Sequence, residues 1–204
     1  MINLLVGTKN RGKAAEIARL LAGLPVRVMG LTDMPEEVRS APEEGGDFLK
    51  NAETKALHYA GETGLLCVAD DSGLCVDALG GAPGVRSARY AGPEQSDAAN
   101  IKKLLTALKG VPATRRNAYF VCAVSLAEPE RSVFTLASSC YGRIAETPRG
   151  DGGFGYDPVF IPEDSRLTFA QMDAEKKDAI SHRGRAFRAF ARELKKYLVR
   201  RGLI

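Results

Sequence analysis

A short apolar run that ends in two adjacent aspartates constrains the fold of this 204-residue chain more than any other feature. Leu65-Leu66-Cys67-Val68-Ala69 is followed directly by Asp70-Asp71-Ser72-Gly73. Central strands of α/β sheets commonly deliver polar residues at their carboxyl ends. The pattern predicts a buried strand that ends at Asp70. Because neighbouring strand residues point to opposite faces, the two carboxylates should have different roles.

The amino-terminal segment predicts a strand, a glycine-bounded turn and a helix. Leu4-Leu5-Val6 is apolar, glycines stand at positions 7 and 12, and residues 13–21 have helical periodicity. Backbone N–H groups and the positive end of a helix favour phosphate at such a turn. Lys13 can reach a phosphate oxygen as a point charge. The turn is therefore a candidate phosphate site, with an empty structural turn as the alternative.

The same turn matches most of a P-loop, Gly7-x-x-x-x-Gly12-Lys13. A P-loop continues with a Ser or Thr whose hydroxyl binds magnesium. Ala14 stands at that position. A P-loop NTPase or kinase remains an enzymatic alternative, and Ala14 argues against it.

The remaining patterns predict an α/β domain. Asp47 is placed to cap a helix that runs towards Glu62. Two long alternating segments, 117–126 and 132–143, predict an antiparallel pair, whereas the early strand-helix units favour parallel pairing. Further predictions are a strand over 26–29, a loop over 32–46 and helices over 96–108 and 183–200. We expect one domain over 1–204, with a mixed sheet flanked by helices.

Composition limits the kinds of metal site. The four cysteines form no Cys-x-x-Cys clip, and with only two histidines a zinc centre is not expected. A metal should be a hard cation held by carboxylates. The acidic segment offers Glu36, Glu37, Glu43 and Glu44 as further ligands, although these residues alone favour a solvated loop.

No apolar run approaches the length of a membrane span, and no basic region precedes the first apolar run. We expect a cytoplasmic protein without membrane contact. The net charge of +4 is concentrated near the carboxyl terminus. A solvated helix face explains it better than nucleic-acid binding, because no aromatic-rich RNA-binding pattern accompanies it.

Phe154 stands between two glycines, which let a ligand approach closely, and is a candidate for stacking on a base. A core aromatic beside a turn is the alternative. Lys176-Lys177 and Ser181-His182-Arg183 place basic donors near the start of the last helix.

Together, in this order, the motifs resemble the inosine/xanthosine triphosphate pyrophosphatase family, almost from end to end. The motifs that carry the resemblance are Thr8-x-Asn10-x-x-Lys13-x-x-Glu16, Phe48-x-x-Asn51-Ala52-x-x-Lys55-Ala56, Asp70-Asp71-Ser72-Gly73-Leu74, Gly80-Gly81-Ala82-Pro83-Gly84, Ser87-Ala88-Arg89-Tyr90, Gly153-Phe154-Gly155-Tyr156-Asp157-Pro158 and Ser181-His182-Arg183-Gly184.

The resemblance implies an elongated α/β fold with two lobes around a central nucleotide cleft, and a homodimer. It implies Mg²⁺-dependent hydrolysis of ITP, dITP and XTP to the monophosphate and pyrophosphate. Asp71, Asp70 and Lys13 are the implied catalytic residues, and Glu43 or Glu44 with Asp71 the metal ligands. The implied substrate contacts are Thr8, Lys9, Asn10, Arg11, Gly12, Lys13, Ser72, Phe154, Gly155, Tyr156, Asp157, Lys177, His182 and Arg183.

The expected mechanism is water attack on the α-phosphorus, with Asp71, or Asp70 through a shared water, as the general base. Arg183 or a backbone N–H should face position 6 of the purine. Lys9 departs from the glycine often found in the family, and should point away from the phosphates or add a positive charge to them. A non-catalytic nucleotide-binding regulator is the alternative of a different class, and a nucleic-acid-binding module is the least favoured.

Overall fold

A six-stranded mixed sheet flanked by helices organises the protein in its computed structural model, which describes residues 2–42 and 46–204. The strands are β1 (Ile2–Val6), β2 (Val26–Gly30), β3 (Leu66–Val76), β4 (Asn117–Glu128), β5 (Arg131–Ile144) and β6 (Phe160–Pro162). The α-helices of the described part are α1 (Arg11–Leu21), α2 (Phe48–Thr63), α3 (Asp97–Ala107), α4 (Ala174–Ile180) and α5 (His182–Arg200).

The strand order is β2-β1-β3-β4-β5-β6. β1 pairs in parallel with β2 and with β3, and β5 pairs antiparallel with β6. Only Pro129 and Glu130 separate the neighbouring strands β4 and β5, and so short a connection requires antiparallel strands. The prediction of a mixed sheet is confirmed.

The chain divides into two compact units, and β3, β4 and β5 each continue along the chain from one unit into the other. Unit 1 contains the described residues up to Asp71, Cys122–Ser138 and Arg183–Ile204. Unit 2 contains Ser72–Val121 and Ser139–His182. The prediction of one functional domain over 1–204 stays a prediction.

Unit 1 has a core on each face of its parallel strands, as buried parallel sheets require. On one face α5 packs Phe187, Phe190 and Leu194 against Leu4 and Val68. These helix residues recur every three or four positions, so one side of α5 is apolar, whereas most of its arginines and lysines are exposed. Each fully buried phenylalanine stabilises the unit by roughly 1.5–3 kcal/mol.

The opposite face of β1 and β3 packs against the small residues of α2. Leu5 and Cys67 contact a cluster that includes Ala56, Tyr59 and Ala60. The approach is so close that a Cβ at Gly7 would lie 2.6 Å from the ring of Tyr59. Gly7 is therefore required by packing at the end of β1, immediately before the predicted phosphate turn.

Unit 2 has its own apolar core. Phe120 contacts the rings of Phe160 and Phe169, whose centroids lie 4.8 and 6.1 Å from its own. Leu74, from the second half of β3, and Leu104 on α3 complete the buried cluster. This core supports the loop that contains Phe154.

The sequence predictions for β1, β2, α1, α2, α3, β4, β5 and α5 are confirmed to within a few residues. The prediction that the third strand ends at Asp70 is wrong. β3 runs on to Val76, so Asp70 and Asp71 lie inside the strand. Their buried charges are tolerated there because basic side chains meet them.

Two short elements, β6 and α4, were not predicted, since three and seven residues carry too little periodic pattern. Among the described residues, no helix is both long and apolar enough to cross a membrane.

Candidate active site

The predicted phosphate turn is shaped by its own polar side chains. Asn10 caps α1, and its Oδ1 accepts the backbone N–H of Lys13 at 3.0 Å. Thr8 Oγ1 accepts the backbone N–H of Asn10 at 3.2 Å. These contacts fix the backbone between β1 and α1, and with it the position from which the Lys13 side chain extends.

The side chain of Lys9 contacts the segment that follows β2. Its ammonium donates to Ser40 Oγ at 2.9 Å. It thereby ties the turn to the acidic segment that follows β2. Within unit 1 a cavity of about 650 Å³ is lined by Thr8, Lys9, Asn10, Arg11, Ala14, Glu36, Glu37 and residues near them. The turn and this acidic segment therefore border the same cavity.

Asp70 is the centre of a buried ion-pair network in unit 1. Its Oδ2 lies 3.0 Å from Lys13 Nζ and 3.5 Å from the guanidinium of Arg183. Arg183 also donates to Glu16 Oε2 at 2.5 Å. Two carboxylates and two cations therefore alternate in the order Glu16, Arg183, Asp70, Lys13.

The network is closed to solvent except at one end. The side chains of Arg183 and Asp70 are 3% and 0% exposed, whereas that of Lys13 is 16% exposed. Burial opposes the charge on Arg183, but the carboxylates of Asp70 and Glu16 outweigh this effect and raise its pKa. Arg183 is thus a permanent cation that holds two carboxylates. Its predicted contact with the purine stays a prediction.

Asp71 is held by one face of α2. Asn51 Nδ2 donates to Asp71 Oδ2 at 3.0 Å, and Lys55 Nζ donates to Oδ1 at 2.9 Å. Asn51 and Lys55 stand four residues apart, so their side chains lie on the same face of the helix. All three residues are buried.

The sequence motifs contain Glu16, Asn51 and Lys55 but do not indicate a role for any of the three. The pattern that could have revealed Lys55 is its place in the series Ala52, Lys55, Ala56 and Tyr59, which forms the buried face of α2. A charged residue on an apolar helix face requires a buried partner of opposite charge.

Unit 2 groups several predicted base-contacting residues around Phe154. Lys177 Nζ lies 5.0 Å from the centre of the Phe154 ring and 2.5 Å from Asp157 Oδ2. The backbone N–H of Phe154 donates to the same carboxylate oxygen at 2.9 Å. A Cβ at Gly153 would collide with this carboxylate, and its φ of 74° also favours glycine. Asp157 and Lys177 therefore fix the ring and the loop that carries it.

Gly155 and Tyr156 complete that loop. The N–H of Gly155 donates to Asp97 Oδ2 at 2.7 Å, and the hydroxyl of Tyr156 donates to the carbonyl of Ser87 at 2.9 Å. Burial, followed by the charges of Tyr90 and Asp97, raises the pKa of Tyr156. Tyr156 is thus a buried anchor for the loop. Asp97 is a residue that the motifs did not indicate.

His182 and Ser72 lie in unit 2 as well. The imidazole of His182 stacks on Phe120 with ring centroids 4.5 Å apart and an interplanar angle of 7°. It is 3% exposed. Ser72 follows Asp71 on β3 and is partly buried.

The predicted metal ligands are only partly described. Asp71 is placed as above, whereas Glu43 and Glu44 lie outside the described residues. Within residues 2–42 and 46–204, no three His, Cys, Asp or Glu side chains group to form a complete metal site. A hard cation that keeps phosphate and water ligands needs only one or two carboxylates, so this arrangement is compatible with Mg²⁺ bound together with a nucleotide.

Comparisons with known proteins support the resemblance. A protein of Geobacter sulfurreducens named dITP/XTP pyrophosphatase is 47% identical over 91% of this chain and 93% of its own length. A protein of the same name from Syntrophobacter fumaroxidans is 49% identical over 96% of this chain and 83% of its own length. The solved structure of a HAM1 protein from Coxiella burnetii has a TM-score of 0.85 at 40% identity, and covers 96% of this chain and 100% of that one. A family model described as the Ham1 family matches residues 4–193, and this chain therefore belongs to the Ham1 family.

Proposed function

We propose that this protein hydrolyses the nonstandard purine nucleoside triphosphates dITP, ITP and XTP to the monophosphate and pyrophosphate. The observation that carries the proposal is the pairing of Lys13, at the predicted phosphate turn, with the buried Asp70. The name dITP/XTP pyrophosphatase, which relatives 47% and 49% identical carry, supports the choice of substrate.

Lys13 and the first turn of α1 supply the positive charge for the phosphates. The Lys13 side chain is 16% exposed, and it is the end of the ion-pair network that a ligand can reach. As pyrophosphate leaves, negative charge builds up on its oxygens, and an ammonium already held in place stabilises that charge without reorganisation. Thr8 and Asn10 support this role by fixing the turn.

We infer that Asp71, rather than Asp70, accepts the proton of the attacking water. Asp70 is fully buried and shares one oxygen between two cations. The Asp71 side chain is 11% exposed and that of Asp70 is 0% exposed, so water can reach Asp71 more readily. Asn51 and Lys55 orient this carboxylate by holding a different oxygen each.

The Asp71 carboxylate can also contribute to a magnesium site. A carboxylate has about four acceptor positions, and Asn51 and Lys55 account for two of them. Asp71 would hold Mg²⁺ together with Glu43, whose position lies outside the described residues. The bound ion would supply neutralisation of charge on the phosphate oxygens.

The residues proposed to bind the purine base lie in unit 2. Phe154 offers an aromatic face for stacking, and Lys177 lies over that ring. A donor that faces purine position 6 donates to the oxo group of hypoxanthine or xanthine. The amino group of adenine is itself a donor, so both donors would stay unpaired. Because Arg183 forms ion pairs with Glu16 and Asp70, a backbone N–H is the better candidate for that donor. A homodimer, which the family resemblance implies, is part of the proposal.

The test is a substrate panel of ITP, dITP, XTP, GTP and ATP with magnesium chloride, in which pyrophosphate and orthophosphate are measured separately. We expect pyrophosphate from the first three substrates and at least tenfold lower kcat/KM for ATP. Release of orthophosphate would favour a P-loop-type NTPase. Tight binding of ITP without turnover would favour the non-catalytic regulator. Either orthophosphate release or binding without turnover would contradict the proposal.

A further inference from the structure

We propose that Glu16 is a positioning residue for this reaction, because it holds Arg183 in a way that leaves Asp70 available to hold Lys13. The inference rests on the proposed function of Lys13 as a phosphate ligand. Glu16 itself is 5% exposed, and it would affect phosphate binding through Arg183, Asp70 and Lys13.

Glu16 and Lys13 stand three residues apart on α1, so one helix carries both ends of the network. Between them lie Asp70 on β3 and Arg183 in the first turn of α5. Glu16 Oε2 lies 2.5 Å from Arg183, and Asp70 Oδ2 lies 3.5 Å from Arg183 and 3.0 Å from Lys13. The shorter contact of Arg183 is thus with Glu16, and the shorter contact of Asp70 is with Lys13.

The charges explain why Glu16 is needed. Glu16 and Arg183 are 5% and 3% exposed, and a buried cation must be compensated by a carboxylate close to it. With both carboxylates present, the four groups are neutral as a set. Without the charge of Glu16, Arg183 has Asp70 as its remaining carboxylate in the network. Asp70 is then drawn to the buried guanidinium, and Lys13, which water can reach, loses its fixed partner.

Loss of the Glu16 charge should therefore cause a specific defect. A Lys13 ammonium that Asp70 no longer fixes must be ordered when the phosphates bind, and the entropy of ordering weakens its contact with them. Phosphate binding should therefore suffer, while the base-binding residues of unit 2 are unaffected.

The first experiment compares Glu16→Gln with Glu16→Asp and with Glu53→Gln. Glu53 is an acid on α2 that pairs with Lys50 at 3.7 Å. Glu53→Gln removes one negative charge, as Glu16→Gln does. For dITP we expect Glu16→Gln to lower kcat/KM by roughly tenfold. Removal of a direct transition-state contact would lower kcat/KM further. Glu16→Asp keeps the charge and should recover part of the loss, whereas Glu53→Gln should stay within about twofold of the wild type.

The second experiment asks whether Glu16 acts through Lys13. The affinity for pyrophosphate with magnesium chloride is measured by calorimetry for the wild type, Glu16→Gln, Lys13→Ala and the double variant. We expect Glu16→Gln to weaken binding in the wild-type background and to have little further effect once Lys13 is absent. A purely structural role would give the same loss in both backgrounds and would overturn the proposal.

Folding is checked by circular dichroism. If Glu16→Gln does not fold, Glu16→Asp takes its place in the cycle with Lys13→Ala and decides the question in the same way. A folded Glu16→Gln with unchanged kcat/KM and unchanged pyrophosphate affinity would contradict the inference while the proposed function stands. A wild-type protein that releases no pyrophosphate from dITP would contradict the proposed function itself.

Discussion

The ammonium of Lys55 on α2 lies 2.9 Å from Oδ1 of Asp71 on β3. Asn51, one helical turn earlier, donates to the second oxygen of the same carboxylate. The orientation of Asp71 is therefore set by α2 and not by the strand that contains it. Asp71 is therefore a carboxylate held in one position by two hydrogen bonds, and a general base requires such positioning.

Replacement of Asp71 by Asn should remove the proton acceptor and leave the volume of the side chain unchanged. We expect turnover of dITP to fall by about 10²–10⁴. Pyrophosphate release at saturating substrate measures the loss, and circular dichroism reports on the fold. Asp164→Asn is a matched control, because Asp164 is exposed and its φ of 59° suits Asn. Near-normal turnover of Asp71→Asn would refute the assignment.

Lys9 and Lys13 stand in the same turn but should differ in importance. Lys9 donates to Ser40 at 2.9 Å, whereas Lys13 lies 3.0 Å from Asp70. We expect Lys13→Ala to lower kcat/KM for dITP by roughly 10²-fold and Lys9→Ala by less than about threefold. Parallel steady-state kinetics of the two variants check this. Equal losses would show that Lys9 also contacts the phosphates.

Phe154 should contribute to the binding of the base through its aromatic face. Phe154→Leu keeps an apolar side chain but loses stacking, which is worth about 1–3 kcal/mol per base. The expected result is a KM for dITP that rises about tenfold, with a much smaller change in kcat. Phe154→Tyr retains the ring and is the control, with a KM close to that of the wild type. If Leu and Tyr behave alike, the ring does not stack on the substrate.

Cys67 should be unreactive in the native protein. It is fully buried, and burial raises the pKa of its thiol to about 12. The thiolate is the reactive form, so an aromatic disulfide reagent at pH 8 should label Cys67 only after unfolding in urea. Mass spectrometry of digested samples identifies the labelled residue. Rapid labelling of Cys67 without denaturant would contradict its burial.

Glu128 should make stability depend on pH. The Tyr197 hydroxyl at 2.5 Å is the main cause that lowers the pKa of Glu128, and Arg131 adds to it. The folded state therefore favours the charged form, which contributes stability above the ordinary value of 4.5 and loses it as the pH falls through the lowered value.

Glu128→Gln should lower the unfolding temperature at pH 7 by about 2–4 °C, as expected for a loss of about 1 kcal/mol. The difference from the wild type should shrink as the pH falls below 4.5. Thermal unfolding between pH 7 and pH 3.5 measures it. Glu130→Gln, in the neighbouring turn, is the control and should behave like the wild type. A difference that does not change with pH would contradict the role of the Glu128 charge.

Much of the fold follows from local sequence patterns. Apolar residues every three or four positions give α5, alternation gives β4 and β5, and the side chain of Asp47 caps α2 as predicted. Such patterns fail at Asp70 and Asp71. Two acids in sequence predict the end of a strand, and only basic partners from elsewhere in the chain allow β3 to continue through them.

By itself, the sequence determined the main helices and strands, the mixed sheet and the family, because residue periodicity and the order of the motifs can be read directly along the chain. Only the tertiary structure decided which side chains hold the two aspartates. Arg183 and Glu16 are 167 residues apart, yet they form one buried ion pair. No local pattern encodes that distance, since it depends on the path of the sheet and on the packing of α1 and α5 against it. The apolar run that leads into Asp70 and Asp71 could thus be predicted from the sequence, whereas the continuation of β3 to Val76 and the partners of the two carboxylates depend on folding.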